Sequence, residues 1–123
     1  ILSLDWMNPK ESWKWAGPNW DQFVNTSTIN RFTGVEIQSD DPEEMKNTWQ
    51  AVLKAPSENV SDCQISLDNT WIRFVKDEDG RGPGVSAFCL EANDNETLLK
   101  KASDLNLIHE GNIMIGGVKF LLS

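Results

Sequence analysis

Histidine is nearly absent from this chain of 123 residues: His109 is the only one, so a single side chain has an unperturbed pKa near neutrality. Cysteine is scarce as well. Cys63 and Cys89 stand far apart in apolar, strand-like contexts, which suits two buried thiols rather than a paired metal knuckle. No apolar run approaches the roughly 20 residues of a membrane-spanning helix, and the first residues lack the basic-then-apolar pattern of a secretory signal. A soluble, cytoplasmic protein without membrane contacts is expected. Positive charge is also in short supply, with 11 Lys plus Arg against 19 Asp plus Glu and a formal net charge of −8. The only adjacent basic pair is Lys100-Lys101, so nothing offsets the repulsion of a phosphate backbone, and nucleic acid is excluded as a partner. The length suits one domain.

Residues 1–32 differ from the rest. They hold Trp6, Trp13, Trp15 and Trp20, four of the six tryptophans, among Pro9, Gly17 and Pro18, which break any long helix. This reads as an irregular, Trp-rich arm or linker that packs over the domain or against a partner, because an exposed row of Trp invites association. Ile1-Leu2-Ser3-Leu4 reads as the tail of a strand. A chain that starts inside an element, at Ile rather than Met, is expected to be the C-terminal part of a longer protein with a further N-terminal domain.

From Thr33 the pattern is regular. Val35 and Ile37 alternate with Glu36 and Gln38, as in a half-buried strand. Asp41-Pro42-Glu43-Glu44 then supplies an N-cap, a proline at the first helical position and an acid at the third. Met45, Trp49, Val52 and Leu53 follow as the apolar stripe of a helix that ends before Pro56. Ile65 and Leu67, a turn at Asp68-Asn69, and Trp71 to Val75 make a hairpin. After a polar, glycine-rich connection, Lys76 to Gly84, the order recurs. Val85 to Glu91 is a strand, Asn93 with Glu96 forms a second capping box, and Leu98, Leu99, Ala102 and Leu105 make a second stripe. Ile113-Met114-Ile115 and Val118 to Leu122 flank Gly116-Gly117. The fold class is therefore α+β, with two strand-helix-strand-strand modules, residues 33–76 and 84–122, joined into one sheet because neither buries enough alone.

That duplicated unit, opened by Gly34-Val35-Glu36-Ile37-Gln38-Ser39-Asp40-Asp41-Pro42, with Asn69 to Phe74 in its hairpin and Gly117-Val118-Lys119-Phe120-Leu121 closing it, resembles the vicinal oxygen chelate superfamily, and within it the glyoxalase-like branch. The resemblance covers residues 33–122. It implies a curved, cup-like mixed sheet with helices on the convex face, and a divalent metal held in the cup by a His and a Glu from each module. The matching positions depart from that pattern: Gly34 stands where the leading His belongs, Val85 or Ser86 where its mate belongs, and Val118 to Ser123 contains no acid. No metal and no cofactor are expected. A strand-helix-strand-strand unit also builds ferredoxin-like regulatory domains, which leaves that architecture as a competing expectation.

The strand faces nominate a site. If Val35, Ile37, Ile72 and Phe74 face the helices, then Glu36, Gln38, Trp71 and Arg73 share the concave side. A guanidinium fork, a carboxylate and an indole plane suit a small, partly apolar, aromatic or carboxylated ligand, with an ordinary salt bridge on a solvated face as the plainer reading. His109, before Glu110-Gly111, reads as a surface residue. Gly80-Arg81-Gly82-Pro83-Gly84 lacks the following helix that a phosphate cradle needs, and reads as a flexible crossover. The expected function is a metal-free domain binding such a ligand. The alternative is a structural half that completes a larger or dimeric protein and holds no ligand of its own. The resemblance leaves an enzyme open, a lyase or dioxygenase relative, but no complete catalytic constellation is visible. A homodimer, with the Trp-rich arm contributing, is expected.

Overall fold

The computed structural model describes residues 7–9 and 17–123. Trp6, Trp13, Trp15 and the expected strand tail at residues 1–4 lie outside the described residues. Trp20 opens a short 3₁₀ turn, Trp20–Phe23, and is half-buried, while Phe23 beside it is 81% exposed.

Seven strands form one mixed sheet: β1 (Ile29–Ser39), β2 (Gln64–Ser66), β3 (Trp71–Lys76), β4 (Gly84–Ala92), β5 (Ile108–His109), β6 (Asn112–Ile115) and β7 (Val118–Leu122). Their order is β2-β3-β1-β4-β7-β6-β5. β1 starts earlier than its alternation implied, so residues 29–32, read as arm, belong to the sheet. Helix α1 (Pro42–Leu53) follows β1, and α2 (Asn95–Asp104) follows β4. Asp41 caps α1 by accepting from the Glu44 N–H at 2.9 Å. The cap of α2 is Asp94, not Asn93: its carboxylate accepts from the Thr97 N–H at 3.0 Å and from the Thr97 hydroxyl, while the Asn93 amide donates to the carbonyls of Thr26 and Ser27.

The two modules are related by internal two-fold pseudosymmetry. In each, the first strand pairs parallel with the last, β1 with β3 and β4 with β7, and the two first strands pair antiparallel with each other. An offset of 53 residues carries Asp41 onto Asp94, Gly34 onto Ala87 and Glu36 onto Cys89. The cross-pairs obey it too, since Gly34 opposes Cys89 and Glu36 opposes Ala87. The β1–β4 register shifts at three places, Asn30 and Thr33 in β1 and Ser86 in β4; Thr33 and Ser86 are the same position in the two copies, and each is an extra, bulged residue. The module-two mate of Gly34 is thus Ala87, neither Val85 nor Ser86. The second module has three strands after its helix. The first has two, plus a vestige in the isolated bridge between Val60 and Ile65. Seven strands with this junction exclude the ferredoxin-like alternative, whose β-α-β-β-α-β unit has four.

One face of the sheet is the core. Ile37, Ile65, Ile72 and Phe74 are buried there, with Val35, Met45, Trp49 and Leu53 packed against them. The Trp49 ring meets Phe74 edge-on, centroids 6.0 Å apart. Three expected stripe residues do not join: Val52 is 53% exposed, and on α2 only Ala102 is buried, while Leu99 and Leu105 face solvent. Between β6 and β7, Gly116 and Gly117 both have positive φ, 60° and 81°, which the two-residue turn joining Ile115 to Val118 requires. That turn fixes β7 so that Lys119 stands opposite Met114 and beside Ala87.

Candidate functional site

The concave face can be read from the register. One row runs Arg73, Glu36, Ala87, Lys119 and Met114 across β3, β1, β4, β7 and β6. The next row runs Trp71, Gly34, Cys89 and Leu121. Ala87, fully buried, leaves the middle of the first row low, and its flanks are side chains of opposite sign, Glu36 and Lys119. Beside this row lies a cavity of about 260 Å³ whose lining includes both Glu36 and Lys119. Both modules build it, with Glu36, Gln38 and Val75 from one side and Ser86, Met114 and Lys119 from the other. A more open groove of about 760 Å³ runs between the end of α1 and the β2–β3 turn at the sheet edge, away from this junction.

Of the four residues nominated from sequence, Glu36 and Gln38 line the cavity, while Trp71 and Arg73 stand beside it. Trp71, Arg73 and Glu36 form one stack. The Trp71 indole lies flat on Gly34, so close that a Cβ there would stand 2.3 Å from the ring. The Arg73 guanidinium lies over the indole, 4.4 Å from its centroid, and its Nη1 donates to Glu36 Oε1 at 3.2 Å. Glycine where a His was sought is therefore what lets the indole lie down.

Gln38 has a different task. Its side-chain amide is buried and donates to Asp77 Oδ1 at 3.1 Å, Asp79 Oδ1 at 2.7 Å and the Gly82 carbonyl at 3.2 Å. It ties the connection after β3 to the cup floor. Asp77 accepts the N–H groups of Asp79, Gly80 and Gly82, and Arg81 Nε donates to Asp79 at 2.8 Å. The Gln38 amide, with the Arg81 backbone and side chain, holds the Asp79 carboxyl well below the usual carboxylate range. The segment read as a flexible crossover is a bonded rim of the cavity, and Gln38 is its anchor, with no donor left for a ligand.

Sequence reasoning missed Lys119, Met114, Val75 and Ser86. The alternation that placed Glu36 also places Lys119, because the Phe120 ring turns to the other face, where it meets Phe88 at 5.8 Å. Lys119 has neither ion pair nor hydrogen bond among the described residues. Ser86 is 8% exposed, and its Oγ has no partner; Thr33, its mate at the other bulge, is likewise unpartnered. Of the two, only Ser86 borders the cavity.

Cys89 is buried on this face, and burial, with Glu36 nearby, pushes its thiol pKa up; Cys63 is exposed, contrary to its expected burial. His109 stands on the far edge strand with 74% of its side chain exposed, its Nε2 4.0 Å from Glu110 Oε1. A divalent metal does not fit the cup floor. Glu36 is the only carboxylate in either row, Arg73 already holds it, and the symmetry-matched positions supply Cys89, Leu121 and a lysine. Among the described residues no three His, Cys, Asp or Glu side chains converge, and no helix is long and apolar enough to cross a membrane.

No family model matches the sequence, and no curated protein does. Among solved structures, the chain is similar to methylmalonyl-CoA epimerase from Mycobacterium tuberculosis, with a TM-score of 0.57 and 15% sequence identity over 80% of this chain and 90% of that one. At that identity the likeness is one of fold. Together with the pseudosymmetric pair of modules around a concave sheet, it shows that the chain has the vicinal oxygen chelate type of fold.

Proposed function

We propose that this chain is a metal-independent small-molecule-binding domain of the vicinal oxygen chelate superfamily, in its glyoxalase-like branch, with the ligand in the concave cavity where the modules meet. The observation that supports it is the cavity's composition. Residues from both modules build it, and Glu36 and Lys119 stand on strands about 10 Å apart with only Ala87 between them. Glu36 and Lys119 held apart, with Val75 and Met114 as the apolar members of an otherwise mostly charged lining, suit a small organic molecule with a polar end. The stack of Trp71, Arg73 and Glu36 occupies the first module's half of the cup, so the second half is the free one.

A fragment mixture titrated into ¹⁵N-labelled protein tests the reading. Shifts are expected to cluster at Glu36, Val75, Met114 and Lys119, unchanged by a weak chelator. Shifts confined to the groove between α1 and the β2–β3 turn, or binding that vanishes on chelation, would contradict it.

A further inference from the structure

Among the described residues, Lys119 is the only cation lining the cavity that has no counter-ion: Arg81 is bonded to Asp79, and Lys76 Nζ lies 4.0 Å from Asp40 Oδ1. Lys119 is half-buried and its ammonium has no partner among the described residues, which leaves it available to an anion. Its surroundings define what that anion is. Ser86, bordering the same cavity, is buried with an unmet hydroxyl, which can turn to donate one hydrogen bond. The wall beyond is Met114, directly opposite Lys119 in the β6–β7 ladder, and Val75. Three carboxylates also line the cavity: Glu36 is paired with Arg73, Asp79 with Arg81, and Glu78 is exposed on the rim. One ammonium and one hydroxyl make a donor pair for a monoanion, and the apolar walls take its body. The small volume, about 260 Å³, limits that body to a single ring or a short branched chain.

From this, and resting on the small-molecule reading above, we infer that the cavity is a carboxylate site: Lys119 is its specificity-determining residue, and its ligand is a small monocarboxylic acid with an apolar body. This moves the anionic anchor from Arg73, whose guanidinium is committed to Glu36 and the Trp71 ring, to the opposite module.

The test uses benzoate and phenylacetate against their neutral amides, benzamide and phenylacetamide, with phenyl phosphate as a further arm, followed by ¹⁵N and methyl shifts at physiological ionic strength. The acids are expected to shift Lys119 and the Met114 methyl and to bind roughly 10- to 100-fold more tightly than the amides, the worth of a charge-assisted hydrogen bond. Lys119→Met should abolish that preference and Lys119→Arg should keep it, so a folding defect in the first variant is not mistaken for loss of the anchor. If acids and amides bind equally in this cavity and Lys119→Met changes nothing, the carboxylate inference fails while the small-molecule reading stands. Tighter binding of phenyl phosphate than of the carboxylates overturns the ligand class. Silence of every probe at millimolar concentration overturns both.

Discussion

Replacing Gly34 by alanine is the sharpest probe of how the cup floor is built. The added Cβ would stand 2.3, 2.5 and 2.6 Å from three atoms of the Trp71 ring, far inside contact distance. Gly34 does not have positive φ, so alanine fits its backbone, and the ring is the whole obstacle. The indole must lift, which takes it from beneath the Arg73 guanidinium and loosens the bond to Glu36. Overpacking of this kind costs about 1 to 3 kcal/mol. Alanine returns roughly 0.5 to 1 kcal/mol by restricting the unfolded chain. The net expectation is a loss of up to about 2.5 kcal/mol, read from urea denaturation followed by far-UV circular dichroism. In a Trp71→Ala background the obstacle is gone, and the same substitution should be neutral or stabilising by up to about 1 kcal/mol. The double-mutant cycle therefore gives a coupling of about 1 to 3 kcal/mol, within the range for residues in contact. Equal effects in both backgrounds would show that the indole does not rest on Gly34, and the account of the stack would fall.

The opposite faces of β3 should respond differently: Phe74→Ala, 2% exposed and packed against Trp49, is expected to cost about 3 to 5 kcal/mol, whereas Arg73→Ala, with 40% of its side chain exposed, should cost at most about 1 kcal/mol in the same denaturation assay. The two thiols should differ as sharply with Ellman's reagent at pH 8, Cys63 reacting at once and Cys89 only on unfolding, since burial both shields the latter and raises its pKa; two equally fast thiols would contradict the placement of Cys89 in the floor. Asp94 is held below its ordinary pKa by the Thr97 hydroxyl and N–H, so its contribution is present above about pH 4, its unfolded value, and lost as pH falls through the lower folded value. Asp94→Asn keeps a capping oxygen with nothing to protonate, and should flatten part of the decline in urea midpoint as pH falls below about 4; an unchanged acid limb would count against the cap.

Local chemistry reached a long way into this fold. The Asp41-Pro42 start of α1, the alternation in β1 and β3, and the glycine pair that turns β6 into β7 depend on neighbours within a few residues, and so are readable from the chain. Duplication was readable for the same reason, because each copy repeats the order of its elements. The same alternation placed Glu36, Trp71 and Arg73 on one face, and with equal attention to Phe120 it would have placed Lys119 there too. Asn93 was mistaken for a cap because it precedes Asp94 by one residue, and which of the two turns toward the helix depends on Asn93 reaching the carbonyls of Thr26 and Ser27, across the sheet. The flexible-looking rim could not be read locally either, since its order comes from Gln38, far away in sequence. Sequence by itself determined the elements, their repetition and the two faces of each central strand, all of which follow from backbone propensity and a period of two. Only the tertiary structure decided that β1 meets β4 in the register that sets Ala87 between Glu36 and Lys119, because pairing between distant strands is fixed by bulges and by the packing of the opposite face, and that register is what makes the cavity.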